Sequence, residues 1–480
     1  MPFAVQPAER GPGRAAVPGP LTLLGRTPTV AFRPFKIMFP VQIDEWAGAS
    51  ECRQTMWMNR PMRIRDLTIT PVAFRDPPLL NASGVHEPWA LRAIVEIVTD
   101  EGVTGLGETY GDLAQLERLH AVAPLLTGID VHAHHALYAA VAAGLGGDVV
   151  SDRHGLIGAS TPRKTVDSVF SPFEVACLDI RGKAAGLRVA DLLGGPVRDA
   201  VPYSAYLFYK WAAHPGATPD RFGAALDPAG IVAQARLFIE EYGFGSIKLK
   251  GGVLPPDQEI DAVLALHDAF PGVPLRLDPN AAWTPETSVR VGTALAGVLE
   301  YLEDPTPGIE GMAQVAPQVP MPLATNMCVV THEHLPPAVA QGAIGVLLTD
   351  HHYWGGLLRS SHVASLCDTF GIELSMHSNT HLGISLAAMT QLAAATPGLT
   401  HACDTHTPWQ DGQDVVAPGA LRFVDGAVPL PEGPGLGVEL DRDALARMHR
   451  QYLDCGVRHR DDTAYMRTFA PDFVPKRAHW

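Results

Sequence analysis

The chain has 480 residues, a formal net charge of −15, 46% hydrophobic and 18% charged residues. This is enough for one large barrel with a satellite domain or for two or three domains, and the acidic balance argues against a nucleic-acid protein, which usually carries a basic face. Cys52, Cys177, Cys328, Cys367, Cys403 and Cys455 form no Cys-x-x-Cys pair, and no run reaches the ~18 apolar residues of a membrane helix, so a reduced, cytoplasmic protein that engages no membrane is expected.

Residues 1–61 are rich in Pro, Gly, Ala and Arg and show no period. Arg10, Arg14, Arg26, Arg33 and Lys36 bias them basic, which allows a transit peptide as one reading. A disordered extension, or a start upstream of Met56, Met58 or Met62, is the expected one. Residues 64–74, 93–98 and 103–107 then read as strands, with Asp100-Glu101-Gly102 as a turn. A polar loop, 81–86, lies between the first two. Ala- and Leu-rich stretches at 113–143 and 173–193 read as helices, so 62–200 is expected to be a small α+β domain.

From about residue 200 short strands alternate with helices. Strands are predicted at 246–250, 275–278, 301–303, 323–326, 346–350 and 373–377, and successive ends stand 28, 25, 23, 24 and 27 residues apart. One βα unit needs about this length. Pro255 and Pro256 open a helix with Ile260, Val263, Leu264 and His267 on one face. Another spans 358–370 and stops at Gly371. Six such units favour a closed (β/α)8 barrel over an open doubly wound sheet. No Gly-rich dinucleotide or phosphate loop follows any strand.

Each of these strands ends in a polar residue: Lys248 and Lys250, Asp278 and Asn280, Glu303, Asn326, Asp350, His377. In a parallel barrel those ends share one rim, where active sites sit. One Asp there is usually a helix cap, and one His is more often structural. The ordered set is what points to chemistry. Asp278, a Glu and Asn326 offer hard oxygen ligands suited to Mg²⁺. Lys248 and Lys250, two apart on one strand, face the same way. Each should depress the pKa of the other, so that one can act as a base near neutral pH. Asp350, one strand before His377, can fix the imidazole tautomer. Bases on both sides of a metal-bound carboxylate suit removal of the proton α to it.

At this point the strings Lys248-Leu249-Lys250, Asp278-Pro279-Asn280, Tyr301-Leu302-Glu303-Asp304-Pro305, Ala324-Thr325-Asn326-Met327 and Met376-His377-Ser378-Asn379 resemble the glucarate dehydratase subgroup of the enolase superfamily. Asp404-Thr405-His406 with Trp409, and 433–439, do so too. The resemblance covers roughly 62–480. It implies an α/β fold, a (β/α)8-type (modified TIM) barrel over 201–425. The N-terminal α+β capping domain, 62–200, would be completed by a C-terminal segment, 426–480. It implies an Mg²⁺-dependent hydro-lyase that dehydrates a C6 diacid sugar, D-glucarate first, with idarate and galactarate as alternatives, in a homo-oligomer.

Residue by residue, Lys250 and His377 would be the opposed bases, Asp350 would back His377, and Lys248 and Asn280 would assist the charge. Asn81, His86, Thr161 (or Ser160), Tyr206, Ser378, Asn379, His406 and Arg460 would touch substrate. Asp278 and Asn326 would hold the metal with Glu303, which fits the wider superfamily, or Glu310, which fits the subgroup. Arg460 would supply the bidentate cation for the distal carboxylate. The chain departs from the pattern at His351, where the subgroup has Pro, around Glu87 and Trp89, and at Lys210-Trp211. The rival chemistry is a zinc hydrolase built on His332-Glu333-His334 and His351-His352, although such a barrel would carry its His pair early.

Overall fold

A computed structural model describes residues 61–147 and 158–480. The expected extension thus lies outside the described residues except for Pro61. The chain enters as three antiparallel strands, Ile64–Arg75, Trp89–Thr99 and Thr104–Tyr110, in that spatial order. Their β-branched residues suit a pleated surface, and Gly102, at φ +82°, supplies the left-handed turn between the last two. The helix Pro162–Ala185 lies across this sheet. It can approach because Gly105 and Gly107 lack side chains: a Cβ there would lie 2.1 Å from Ala176 O and 2.0 Å from Pro172 O.

The expected helix at 113–143 is two helices, Leu113–Leu126 and His134–Leu145, with Gly128 at φ +84° after the first. The helix expected from 173 begins at Pro162 and runs through Pro172. An interior Pro removes a hydrogen bond and reads as a boundary, so the sequence hid the first half of this helix. Thr161 caps it, accepting from the Lys164 N–H at 3.0 Å.

Seven parallel strands follow: Ala205–Phe208, Ile247–Lys250, Leu275–Asp278, Leu299–Glu303, Leu323–Thr325, Val346–Thr349 and Glu373–Met376, each beside the next. Six lie where expected, and the first escaped notice because only Tyr206 marked it. Residues 399–404 close the ring as an irregular eighth stave. His401 N and Asp404 N donate to Leu374 O and Met376 O, at 3.0 and 2.8 Å, while Cys403 N donates to Pro202 O and Ser204 N to Cys403 O, at 2.9 and 2.8 Å. The staves are almost wholly buried, as parallel strands covered by helices must be. The fold is therefore a modified (β/α)8 barrel with a capping sheet.

The C-terminal helix Arg442–Cys455 returns to the strand Ile64–Arg75. His449 Nδ1 lies 2.7 Å from Pro71 O, and Arg442 pairs with Glu96 at 2.6 Å. Tyr452 joins Ile64, Ile97, Leu119 and Phe170 in the core of the cap. Among the described residues no helix is long and apolar enough to cross a membrane.

Candidate active site

The staves bring five charged groups to one rim, all buried. Register pairs Lys250 with Asp278 across neighbouring strands, and Lys250 Nζ lies 2.5 Å from Asp278 Oδ2. Lys248 Nζ lies 2.7 Å from Asp404 Oδ2, 2.6 and 2.8 Å from the two Glu303 oxygens and 3.6 Å from Asp278. Three carboxylates thus face two ammonium groups out of water. Burial and then the neighbouring Asp278 charge push the Glu303 carboxyl well above its ordinary range. For Asp278, burial works upward, but Lys250 and Lys248 outweigh it and hold the carboxyl low.

The expectation for the lysines is corrected here. Burial does work to lower both, yet both stay above the ordinary lysine value. Asp404 and Glu303 hold Lys248 up, and Asp278 holds Lys250 up against the opposing Lys248 charge. Mutual repulsion at two-residue spacing is real, but opposite charges closer at hand win.

Oxygen donors surround this cluster. Asn280, at φ +53°, donates its backbone N–H to Asp278 Oδ1 at 3.0 Å. Asn280 Oδ1, Asn326 Oδ1 and Asp404 Oδ1 are shielded from water and make no hydrogen bond. Such orphaned acceptors are costly. Beside three carboxyl groups they fit a hard divalent cation with oxygen ligands. Asp304, which sequence reasoning passed over, sets the Asn326 position. It accepts from the Asn326 N–H at 2.9 Å and from Thr325 Oγ1 at 2.5 Å. Glu310, the other candidate, stands exposed in the helix Gly308–Val315. There it lines a separate cavity of about 370 Å³ with Asp304, His334 and Arg477. Glu303 ends its stave inside the cluster.

Opposite lies His377, whose Nδ1 is 3.1 Å from Asp350 Oδ2. Burial lowers its pKa although Asp350 works to raise it. Lys250, Asn280, Asn326, His377 and Asn379 all line one small cavity of about 50 Å³, with Tyr110, Lys164 and Ser168 closing it from the cap. Lys164 and Tyr110 were missed. Thr161, expected at the pocket, is the helix cap, and Lys164 one turn later reaches the cavity instead.

Tyr206 underlies the lysines, its ring 4.8 Å from Lys248 Nζ and 4.8 Å from the His406 ring. Ser378 is buried beside His377. Asn81 Oδ1 accepts from Ser83 N at 2.7 Å. His86 Nδ1 lies 3.1 Å from Asp76 Oδ2, which also takes Arg460 Nη1 at 2.7 Å. Arg460 is engaged within the protein. Its Nε and Nη2 go to Asp462 at 2.9 and 3.2 Å, so it offers no spare fork for a carboxylate. Lys210 likewise serves a loop, bonding Asp220 Oδ1, Trp211 O and Gly223 O at 2.8 Å each.

The zinc reading loses its geometry. His332 and His334 lie in a short turn, with His332 turned to Arg359 at 3.4 Å. Among the described residues the group close enough to share a metal is Asp350, His351 and His352, with ligand atoms within 4.8 Å of one another. Yet both His352 nitrogens are bonded, Nδ1 to Asp350 at 2.8 Å and Nε2 to Arg92 at 2.9 Å. Burial pushes His351 down to about 3.

Known families and relatives match most of the chain. The enolase C-terminal domain-like family matches residues 230–444. The mandelate racemase / muconate lactonizing enzyme N-terminal domain matches 64–194. A Streptomyces coelicolor protein described as "Probable glucarate dehydratase" is 54% identical over 435 residues, covering 88% of this chain and 100% of its own. A Thermobispora bispora enolase crystallised with magnesium and formate is 75% identical, with a TM-score of 0.86, over 87% of this chain and 100% of its own. A Pseudomonas fluorescens enolase with bound magnesium, potassium and tartrate is 48% identical, with a TM-score of 0.85, over 88% and 100%.

Proposed function

The chain belongs to the enolase superfamily, in its glucarate dehydratase subgroup, and from that premise we propose that this hydro-lyase converts D-glucarate to 5-dehydro-4-deoxy-D-glucarate with Mg²⁺. The observation that carries the reading is that Lys250 and His377 line one cavity together with Asn280 and Asn326. We also assign the cap to 62–200 and 426–480 and the barrel to 201–425.

Asp278, Glu303 and Asn326 would hold the metal. Bound there, Mg²⁺ would polarise the substrate carboxylate and, by drawing on the Asp278 charge, loosen the grip on the Lys250 proton. Lys248 and Asn280 hold the negative charge that grows on the same carboxylate. His377 gives its Nδ1 proton to the hydrogen bond with Asp350, which leaves the Nε2 lone pair for the α-proton. The C–H electron pair moves into the carboxylate-conjugated system. The β-hydroxyl then departs with the proton that His377 has taken, so water leaves and His377 is neutral again. The enol product tautomerises to the ketone. Lys250, across the cavity, takes the α-proton of the epimer that presents the other face.

The distal carboxylate calls for a cation, and among the described residues of the cap Lys164 stands at the cavity wall. A panel of C6 diacids tests substrate choice. D-Glucarate should turn over to a keto-deoxy diacid fastest, with idarate and galactarate slower. Faster turnover of galactarate would reassign the substrate within the same reaction class.

A further inference from the structure

A buried chain of side chains runs from the capping sheet to the back of His377. Arg92, on the strand Trp89–Thr99, places Nη2 2.9 Å from His352 Nε2. His352 Nδ1 lies 2.8 Å from Asp350 Oδ1, and Asp350 Oδ2 lies 3.1 Å from His377 Nδ1. Arg92, His352 and Asp350 are all buried. Glu108, on the next strand of the cap, holds Arg92 Nε at 2.7 Å. It also accepts the N–H groups of Leu382 and Ser385, at 2.9 and 2.8 Å, in the segment just after His377.

Hydrogen-bond roles follow from the chemistry of the groups. A guanidinium only donates. The His352 nitrogen facing it must therefore accept, and the Ser385 hydroxyl, 2.9 Å from the same nitrogen, can donate to it as well. The His352 proton then sits on Nδ1 and points at Asp350. Burial, with the nearby His351 working the same way, holds the His352 pKa well below its ordinary value, so the ring is neutral. Asp350 Oδ1 receives two N–H groups, the His352 side chain and the His352 backbone at 2.9 Å. Its Oδ2 is left to receive the His377 Nδ1 proton. Turn His352 to the other tautomer and a lone pair faces the carboxylate, which then loses its orientation.

We propose that Arg92 and His352 are positioning residues for His377: the cap's guanidinium fixes the His352 tautomer, which orients Asp350 and leaves the lone pair of the base at Nε2. The proposal rests on His377 serving as a base. It makes the capping sheet part of the proton-transfer machinery and gives a structural reason for a His-His pair directly after Asp350.

Arg92→Met would leave Glu108 buried and uncompensated and can simply fail to fold, so the tests use His352. A Gln side chain puts its amide near the Nε2 position and loses the donor to Asp350. Asn puts its amide near Nδ1 and keeps that donor. We expect His352→Gln to slow α-proton exchange with deuterated solvent by about tenfold or more on the His377 face, while exchange on the Lys250 face stays within about twofold. His352→Asn should restore part of the lost rate. Equal loss on both faces, or no loss on either, overturns the proposal. His377→Asn is the control: if it leaves exchange on both faces intact, the reading of His377 fails, not the relay. Nitrogen-15 shifts of the wild-type histidines, assigned with His352→Asn, then decide alone. Protonation of His352 on Nδ1 supports the relay, and protonation on Nε2 overturns it.

Discussion

Lys248 Nζ is 2.7 Å from Asp404 Oδ2, so the irregular segment that closes the barrel also grips the second stave at the rim. Asp404 follows directly from the hydrogen bond of its own N–H to Met376 O, which aims its side chain across the ring. With Glu303 on the other side, Lys248 is held between two carboxylates and cannot wander. Asp404→Asn should leave the protein folded and metal-binding but lower kcat by about tenfold or more, the usual effect of losing a group that orients a site residue. An unchanged kcat would mean that Asp404 merely fills space.

The two candidate acidic ligands differ in place. Glu303 is buried against Lys248, and Glu310 is exposed on a helix beside another cavity. Calorimetric titration of chelator-stripped protein should show Glu303→Gln losing Mg²⁺ affinity by well over about tenfold, and Glu310→Gln binding nearly as wild type, within ~0.5 kcal/mol for an exposed change. The reverse pattern would move the metal toward the Glu310 cavity.

The pH profile follows from His377. Burial holds its pKa below the ordinary 6.5 despite the raising effect of Asp350. A base must be unprotonated to act, so a lowered pKa moves the acid limb of kcat/KM down. For the epimer served by His377 that limb should lie below pH 6.5. Asp350→Asn removes the raising charge and should shift it lower still, with a fall in kcat. An acid limb above pH 7 in the wild type contradicts the assignment.

Arg460 ties the C-terminal segment to the end of the first strand through Asp76, and it also holds Asp462 beside it. Removing it as Arg460→Met leaves two buried carboxylates without their cation, a change that typically costs about 3–5 kcal/mol. Denaturant unfolding should register a loss of that order. A raised KM for C6 diacids with undiminished stability would return Arg460 to the substrate site.

The barrel was legible because its staves are short apolar runs that end in polar residues at near-constant spacing, and that same order pointed to Lys248, Lys250, Asp278, Asn280, Asn326, Asp350 and His377 as candidates. What stayed hidden has physical reasons. The first stave carries no polar end to mark it, and the eighth is too irregular to show a strand pattern. Pro172 disguised a continuous helix as a boundary. Pairing was the harder loss: Arg460 looked like a free cation because Asp76, its partner, lies 384 residues away in sequence. The lysine pKa argument failed for the same reason, since Asp404 reaches Lys248 across 156 residues. Spacing along one strand reveals which side chains share a face, but not which opposite charges the rest of the fold brings to them.

The most direct test of the central claim is a proton NMR time course of D-glucarate with chelator-stripped protein, before and after Mg²⁺ is added. In the proposed reaction a cation sits at the cluster of three carboxylates and two ammonium groups, beside the orphaned Asn280 and Asn326 oxygens, before the α-proton leaves. No dehydration is expected without metal, and the 4-deoxy-5-keto product should accumulate once Mg²⁺ is present. Full dehydration by metal-free protein, or none of any C6 diacid with Mg²⁺ bound, would contradict it.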